Sequence, residues 1–487
     1  MNLKFLCRSL TCSAAGAVLA GCAMAPAYER PALQVPAAFK QATPEAAAQG
    51  VWVPGQHRMA VERGAHLVEA PALPTEWWKV YGDASLDALQ AQAEAGSPSL
   101  AQAAARVRAA LAAVAGSQAS LLPSVGASAS GSRARSGGAS NSAISNSSTN
   151  SSYSLGLNAS WELDLWGRLS VQLNADQLSA QASRDDWAAA RLSLQASVAQ
   201  TYFSLRAAEA QMQLLQESLQ AYEQSRQLTQ NRYKAGVVSS ADVAQAESQY
   251  KSTQAQWLEA QTTRSQYEHA LAALLGLAPA AFSLPVTGTL PTPPQVPGML
   301  ASTLLEQRPD IAAAERRVAA ANAQVGIART AYFPSLTLSA TGGYRSNTLS
   351  NLLSAPNLFW SLGPALAVSL FDGGARNAAV ESARAALDLA GANYKQTVLT
   401  ALQEVEDSLV EATHLAEQQQ VQTEALAAAQ KALTVASNQY KAGMVGYLNV
   451  LSAQTSVLNA QNSLISVKNR RLAAINTLLK NVAGRWE

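Results

Sequence analysis

Residues Arg168 to Tyr233, RLSVQLNADQLSAQASRDDWAAARLSLQASVAQTYFSLRAAEAQMQLLQESLQAYEQSRQLTQNRY, run for more than sixty positions without a Gly or Pro. Ala, Leu and Gln dominate, and apolar side chains recur at Leu192, Ala196, Ala199, Phe203, Ala207, Ala210 and Leu214. Steps of three and four keep these residues on one stripe of an α-helix. At ~1.5 Å per residue the helix is on the order of 100 Å long, so it must pack against other helices along its length. Lys234, Ala235 and Gly236 end it, and a second helical run follows from Ser240 to Leu275.

The design occurs twice. Asn231, Tyr233, Lys234, Ala235, Gly236 and Val243 reappear in order as Asn438, Tyr440, Lys441, Ala442, Gly443 and Val450. Upstream, Leu163, Asp164 and Arg168 match Phe371, Asp372 and Arg376, and Leu122, Pro123, Ser124 match Phe333, Pro334, Ser335. A duplication of this length sets the architecture. The expected organisation is a signal segment over 1–21, an extended tether over 22–76, a first repeat over 77–275, an equatorial connection over 276–303 and a second repeat over 304–487.

Upstream of each long helix the period changes from 3.6 to 2. Tyr153, Leu155, Leu157, Ala159, Trp161 and Leu163 alternate with Ser154, Gly156, Asn158, Ser160 and Glu162. Trp360, Leu362, Pro364, Leu366, Val368 and Leu370 alternate with small or polar residues, as do Leu336, Leu338 and Ala340, and Val125, Ala127 and Ala129. Each stretch approaches the ~9 to 11 residues that a tilted strand needs to cross a bilayer. An ordinary half-buried sheet is the competing explanation. Ser-, Asn- and Gly-rich segments at 131–152 and 344–357 are the expected hairpin tips. Four strands leave two open edges, which hydrocarbon does not tolerate, so the chain must combine with copies of itself. Two copies make eight strands, nearly filled by side chains; three make twelve, with room for a lumen.

The first residues, Met1 to Lys4 with Arg8, lead through an apolar run to Leu19, Ala20, Gly21 and Cys22, which has the form of a secretory signal. The last four resemble the bacterial lipobox, so Cys22 is expected to carry lipid; Ala23 after it, where an Asp would retain the protein in the inner membrane, directs the anchor to the outer membrane. Pro26, Pro31, Pro36, Pro44, Pro54, Pro71 and Pro74 favour an extended tether. Of three cysteines, Cys7 and Cys12 fall in the signal, so the mature chain has no disulfide. No helical span is evident.

A net charge of +2 with 14% charged residues gives no basic face for nucleic acid. The four histidines lie in no HExxH, and neither a phosphate-cradling loop nor a serine nucleophile elbow occurs. Asp407, Glu411 and His414 share a helix face, which reads more simply as solvated than as a metal site. Catalysis has no residues to rest on.

Leu305, Glu306, Gln307, Arg308, Pro309, Asp310 and Ile311, followed by Glu315, Arg316, Asn322, Ala323, Gln324, Gly326, Ala328, Arg329, Phe333 and Pro334, resemble the TolC/OprM-like outer-membrane factor family, and the lipoprotein start its NodT branch. The resemblance covers about residues 75 to 484. It implies an α+β membrane protein: a trimeric 12-stranded β-barrel, four strands per chain, continued by a 12-helix periplasmic α-barrel and internally duplicated. It also implies a periplasmic adaptor and an inner-membrane resistance-nodulation-division pump as partners, no cofactor beyond the lipid on Cys22, and efflux of small molecules through the outer membrane. The alternatives are a channel for type I protein secretion and a trimeric coiled-coil adhesin.

On that resemblance the turns at Gly236, Val237 and at Gly443, Met444 contact the adaptor. The family's latch of an aspartate, a tyrosine and an arginine falls on Asp242, Tyr440 and Val445, so the arginine is missing. Its constriction aspartates fall on Asn449 and Ser452. The expectation is a less anionic gate, closed by Tyr447, Leu448 and a hydrogen bond between Asp242 and Tyr440.

Overall fold

The computed structural model describes residues 27–31, 76–136, 148–294 and 308–482. The signal segment, Cys22, nearly all of the tether, the stretch Leu305 to Gln307 and the centre of the first hairpin tip lie outside these residues. Helices α1 (Ala84–Gly96) and α2 (Pro98–Ser120) precede strands β1 (Ser124–Ser136) and β2 (Ser148–Leu163), then α3 (Arg168–Lys234) and α4 (Ser240–Leu274). The pattern returns as α5 (Pro309–Thr330), β3 (Ser335–Ser346), β4 (Leu358–Ala367), α6 (Ala375–Lys441) and α7 (Tyr447–Asn481). Both long helices have 67 residues and both return helices 35, the structural form of the duplication.

The chain divides into two compact units, and each draws on both repeats. One comprises Met1–Pro31, Arg106–Ser183 and Ala313–Tyr394; the other comprises Ala32–Ala105, Arg184–Ala312 and Lys395–Glu487.

In the first unit the strands form one antiparallel sheet in the order β1-β2-β3-β4. Strands β1 and β3 reach further into the hairpins than expected, to Ser136 and Ser346, and β2 begins at Ser148. Strand β4 stops at Ala367 rather than at Leu370, because its ladder ends where Ala367 meets the first residue of β3, Ser335. Residues directly opposite share a face, so the register can be read row by row. Val125, Ala159, Ala340 and Leu362 form one row; Ala127, Leu157, Gly342 and Trp360 the next; Ala129, Leu155, Tyr344 and Leu358 a third. Trp161, Leu338 and Pro364, then Leu163, Leu336 and Leu366, continue the same face. The opposite face carries Ser124, Ser160, Ser339 and Gly363, then Gly126, Asn158, Thr341 and Ser361.

The apolar face is bare: Trp360 is 78% exposed, and Val125, Leu157, Leu362 and Leu366 are each more than half exposed. From Leu163 to Tyr153, ten steps of ~3.3 Å at a tilt near 40° rise about 25 Å, the height of a hydrocarbon-facing barrel band.

The strand-to-helix joints repeat as well. Asp164 accepts from Leu169 N (2.9 Å) and Ser170 N (2.8 Å), capping α3; Asp372 accepts from Gly374 N (3.0 Å) and Arg376 N (3.1 Å), capping α6. Trp166 packs on Phe333 with ring centroids 5.0 Å apart and donates to Pro334 O at 2.7 Å, joining the repeats beneath the sheet. The short segment Ala27–Pro31 is held by Arg30, which donates to the Tyr394 hydroxyl at 2.9 Å and pairs with Glu315 at 3.1 Å.

The second unit is built on the predicted stripe. Leu192, Ala196, Ala199 and Phe203 are buried with Trp77, Trp78, Tyr81, Leu86, Leu472, Ile475 and Leu479, while Ala210 is only half-buried. A buried ionic network beside them holds the inter-repeat connection. Arg206 pairs with Glu209 (2.7 Å) and donates to Pro285 O (2.8 Å), while Arg264 pairs with Glu268 (2.6 Å) and donates to Leu284 O (2.6 Å).

At Gly343 a Cβ would collide with the carbonyl of Leu155, whereas at Gly363 it would meet nothing within 4 Å. Gly343→Ala should therefore cost roughly 1–3 kcal/mol, the usual range for overpacking, and Gly363→Ala far less. Urea unfolding of the two variants in lipid vesicles checks this, and equal stabilities would contradict it.

Candidate functional site

The two helix turns, both in the second unit, have one backbone design. After α3, Gly236 N donates to Tyr233 O (2.9 Å) and Val237 N to Arg232 O (2.9 Å); after α6, Gly443 N donates to Tyr440 O (3.0 Å) and Met444 N to Gln439 O (2.9 Å). This paired pattern satisfies the last carbonyls of a helix and needs a left-handed residue. Gly236 and Gly443 supply it, with φ of 74° and 77°. Val237 and Met444, next in each turn, are exposed, so both turn tips present an apolar side chain to solvent.

The return helices start differently. Ser239 caps α4 in a capping box with Asp242: the Ser239 hydroxyl accepts from Asp242 N, and the Asp242 carboxylate accepts from Ser239 N (3.1 Å) and Ser239 Oγ (3.0 Å). Gly446 and Asn449 stand at the equivalent places in the second repeat, and α7 has no side-chain cap. Aromatic packing takes its place. Tyr440 and Tyr447 meet edge to face with centroids 5.8 Å apart, among Ala246, Val450, Leu451, Leu433 and Val445.

Two expectations need correction. Asp242 does not bond Tyr440, because the capping box engages its carboxylate; the Tyr440 hydroxyl is buried with no hydrogen-bond partner among the described residues. Tyr447 is not a free gate side chain in this chain, since it is 2% exposed in the aromatic cluster. Leu448, Asn449 and Ser452 are exposed together along α7. Val445 is half-buried against the cluster.

A cation does reach Tyr440, though not from position 445. Arg232, in the last turn of α3, lies with its guanidinium 4.5 Å from the centre of the Tyr440 ring and donates to Tyr440 O at 3.1 Å. The repeat alignment pairs Arg232 with Gln439, so comparing the repeats gives no hint of it. The capping box, by contrast, has a local signal, Ser239 with Asp242 three positions later. Farther along, Arg226 bridges Glu223 (2.9 Å) on its own helix and Glu247 (2.9 Å) on α4, tying that hairpin together. Burial pushes the Tyr447 phenol up to about 12, with Tyr440 and Tyr222 adding to the effect.

The face of Asp407, Glu411 and His414 is engaged otherwise: Asp407 accepts from Gln403 at 3.3 Å and His414 meets Glu417 at 3.4 Å. Among the described residues no group of three or more His, Cys, Asp and Glu could hold a metal ion.

The family described as "Outer membrane efflux protein" matches residues 89–277 and 300–484. The chain is similar to the probable efflux pump outer membrane protein TtgC of Pseudomonas putida, 31% identical over 474 residues, covering 96% of this chain and 94% of that one. It is 30% identical over 443 residues to the cation efflux system protein CusC of Escherichia coli, covering 90% and 91%. The crystal structure of the outer membrane protein VceC from Vibrio cholerae superposes with a TM-score of 0.77 at 31% identity, covering 85% of this chain and all of that one.

Arg232→Ala should accelerate amide exchange over residues 438–452 by roughly five- to thirtyfold, the loss of about 1–2 kcal/mol of cation–π and hydrogen-bond energy. Asp242→Asn should loosen only the start of α4; hydrogen exchange of the purified protein reads both, and loosening of 438–452 by Asp242→Asn to the same degree would refute the assignment.

Tyr447 has its folded pKa above the ordinary phenol value near 10. The stability it contributes is therefore intact below pH 10 and lost as pH rises through about 12. Denaturant unfolding between pH 9 and 12 should show a shallower alkaline loss in Tyr447→Phe than in the wild type; identical slopes would contradict this.

Proposed function

The chain belongs to the outer membrane efflux protein family, and from that premise we propose that three copies close into one channel that lets small molecules leave the cell passively. The observation that carries this reading is the sheet: one apolar face bare of protein, one face mostly of serine, threonine, asparagine and glycine, interrupted by Phe359, Arg345 and Glu162, and β1 and β4 each paired on one side only. Hydrocarbon requires the edges to pair. Joining β4 of one copy to β1 of the next satisfies them, turns the apolar face to lipid and lines a twelve-stranded lumen with small polar groups. Exposed Leu389, Leu399, Val421 and Val435 along α6 give the helices apolar surface for the same association.

In this channel the paired turns are the periplasmic end. Gly236, Val237, Gly443 and Met444 contact a periplasmic adaptor, which couples the channel to an inner-membrane resistance-nodulation-division pump. The pump supplies the energy and the channel needs no cofactor. Exposed Leu448, Asn449 and Ser452 line the closed end, with the Arg232–Tyr440 contact and buried Tyr447 bracing the turn behind them. None of the three lining residues is ionisable, so the constriction lacks an anionic ring. Cys22 carries the acyl chains that fix the mature chain to the outer membrane.

Cysteine pairs introduced along β1 and β4 should trap a covalent ladder that stops at three chains, and the trapped species should conduct in planar bilayers without strong cation selectivity. A ladder ending at two chains, or trimers that never conduct even when Arg232→Ala loosens the turn, would overturn the proposal. Replacing Cys22 by Ser should abolish incorporation of labelled fatty acid.

A further inference from the structure

The strands carry four charged side chains among their described residues: Glu162, Arg133, Arg135 and Arg345. Glu162 lies at the helix end of the sheet, where Arg168 grips it at 2.8 Å through two bonds. The three arginines all lie toward the hairpin tips. The register separates them by face. Arg345 follows the row of Ser130 and Ser154, the polar face, and stacks on Phe359 at 5.1 Å. Arg133 and Arg135 stand opposite Ser151 and Thr149, two and four positions past the row of Gly131, Tyr153 and Ser346 on the apolar face.

That face is the one expected to meet lipid. Its outermost aromatic is Tyr153, whose ring lies over Gly131, 3.2 Å from where a Cβ would stand there. Tyrosine at this place marks the boundary between hydrocarbon and headgroups. Arg133 and Arg135 are both exposed. Steps of two residues along a strand tilted near 40° raise them roughly 5 and 10 Å above the tyrosine row, where the phosphates of the outer leaflet lie. A planar guanidinium binds phosphate oxygens in pairs.

We propose that Arg133 and Arg135 form a binding site for the phosphate groups of outer-leaflet lipid, so that each chain grips the membrane above its apolar band. The inference rests on the apolar face being the lipid face, as in the proposed channel. A basic side chain near an anionic membrane surface gains about fivefold in affinity, and two together about twenty-fivefold. The site fixes the height of the barrel in the bilayer at its outer rim.

The test uses the purified full-length protein in detergent, with binding of bisphosphorylated lipid A measured by native mass spectrometry or by the shift in unfolding temperature. Dephosphorylated lipid A and inorganic phosphate serve as separate arms. The wild type should bind the phosphorylated lipid, and Arg133→Gln with Arg135→Gln should weaken it about twenty-fivefold. Arg345→Gln, equally cationic but on the other face, should leave it within twofold. Inorganic phosphate alone should give no shift at millimolar concentration. Equal binding by the double variant, equal loss in Arg345→Gln, equal binding of dephosphorylated lipid, or a shift of the same size from free phosphate would each overturn the proposal. Single-channel conductance of the double variant keeps the two readings apart: conducting trimers that bind lipid as tightly as the wild type refute the lipid site alone.

Discussion

An unpaired backbone N–H or carbonyl in hydrocarbon costs several kcal/mol, and an open strand presents a row of them. Strands β1 and β4 are such edges, in a sheet whose apolar face no part of the described chain covers. The two facts reinforce each other. In water, bare Trp360, Leu362 and Leu366 would drive aggregation; in lipid they are satisfied, but then the edges are not. Only closure by further copies answers both demands, which makes self-association a condition of the fold rather than an addition to it. The small residues that make up most of the opposite face have their reason in the same closure. Serine, threonine and glycine leave a lumen open, where larger polar side chains would fill it.

The duplicated helical hairpins show which parts of a repeat can diverge. Both turns keep the left-handed glycine and the same pair of closing hydrogen bonds, because the backbone reversal has few alternatives. The start of each return helix is freer. The first repeat satisfies its return helix with a local polar cap, Ser239 and Asp242. The second replaces those positions by Gly446 and Asn449 and holds the turn with Tyr440 and Tyr447 in a small apolar cluster. A capping box is complete within four residues. An aromatic cluster depends on contacts from α4 and α6, so the second turn is the one whose stability responds to how neighbouring helices are arranged.

The legible parts of this chain are those with a period or a copy. Freedom from Gly and Pro marks the ends of α3 to within a residue, and alternation marks the faces of all four strands. Strand ends are less legible, because Ser and Gly in the tips carry no signal of the ladder: β1 runs to Ser136 only because Ser148 stands opposite. At the helix turns the sequence misleads where a local contact competes with a distant one. Asp242 could reach Ser239 three residues away or Tyr440 across nearly two hundred; the short closure costs far less chain entropy. Arg232 is hidden for the opposite reason, since its partner is remote and its repeat counterpart is Gln439. Tyr447 has Ser240 as its counterpart in the first repeat, so the copy carries no sign of its burial; the ring of Tyr440 is what draws it inside.

The ionic network at the inter-repeat connection obeys a different logic from the sheet. Arg206 and Glu209 are almost wholly buried, and removing two charges from water costs as much as their attraction returns. Their gain is in what else they hold. The connection near Leu284 to Thr287 has no helix or strand to satisfy its backbone, yet Arg206 takes Pro285 O, Arg264 takes Leu284 O, Glu268 takes Leu284 N and Glu209 takes Thr287 N. Each charge thus has an ionic partner and a peptide partner, which apolar side chains of the same volume could not provide. Deleting one member would strand both a charge and a peptide group of the connection. An irregular segment joining two copies of one design is held in a single place by this arrangement, at a site where packing alone would accept many.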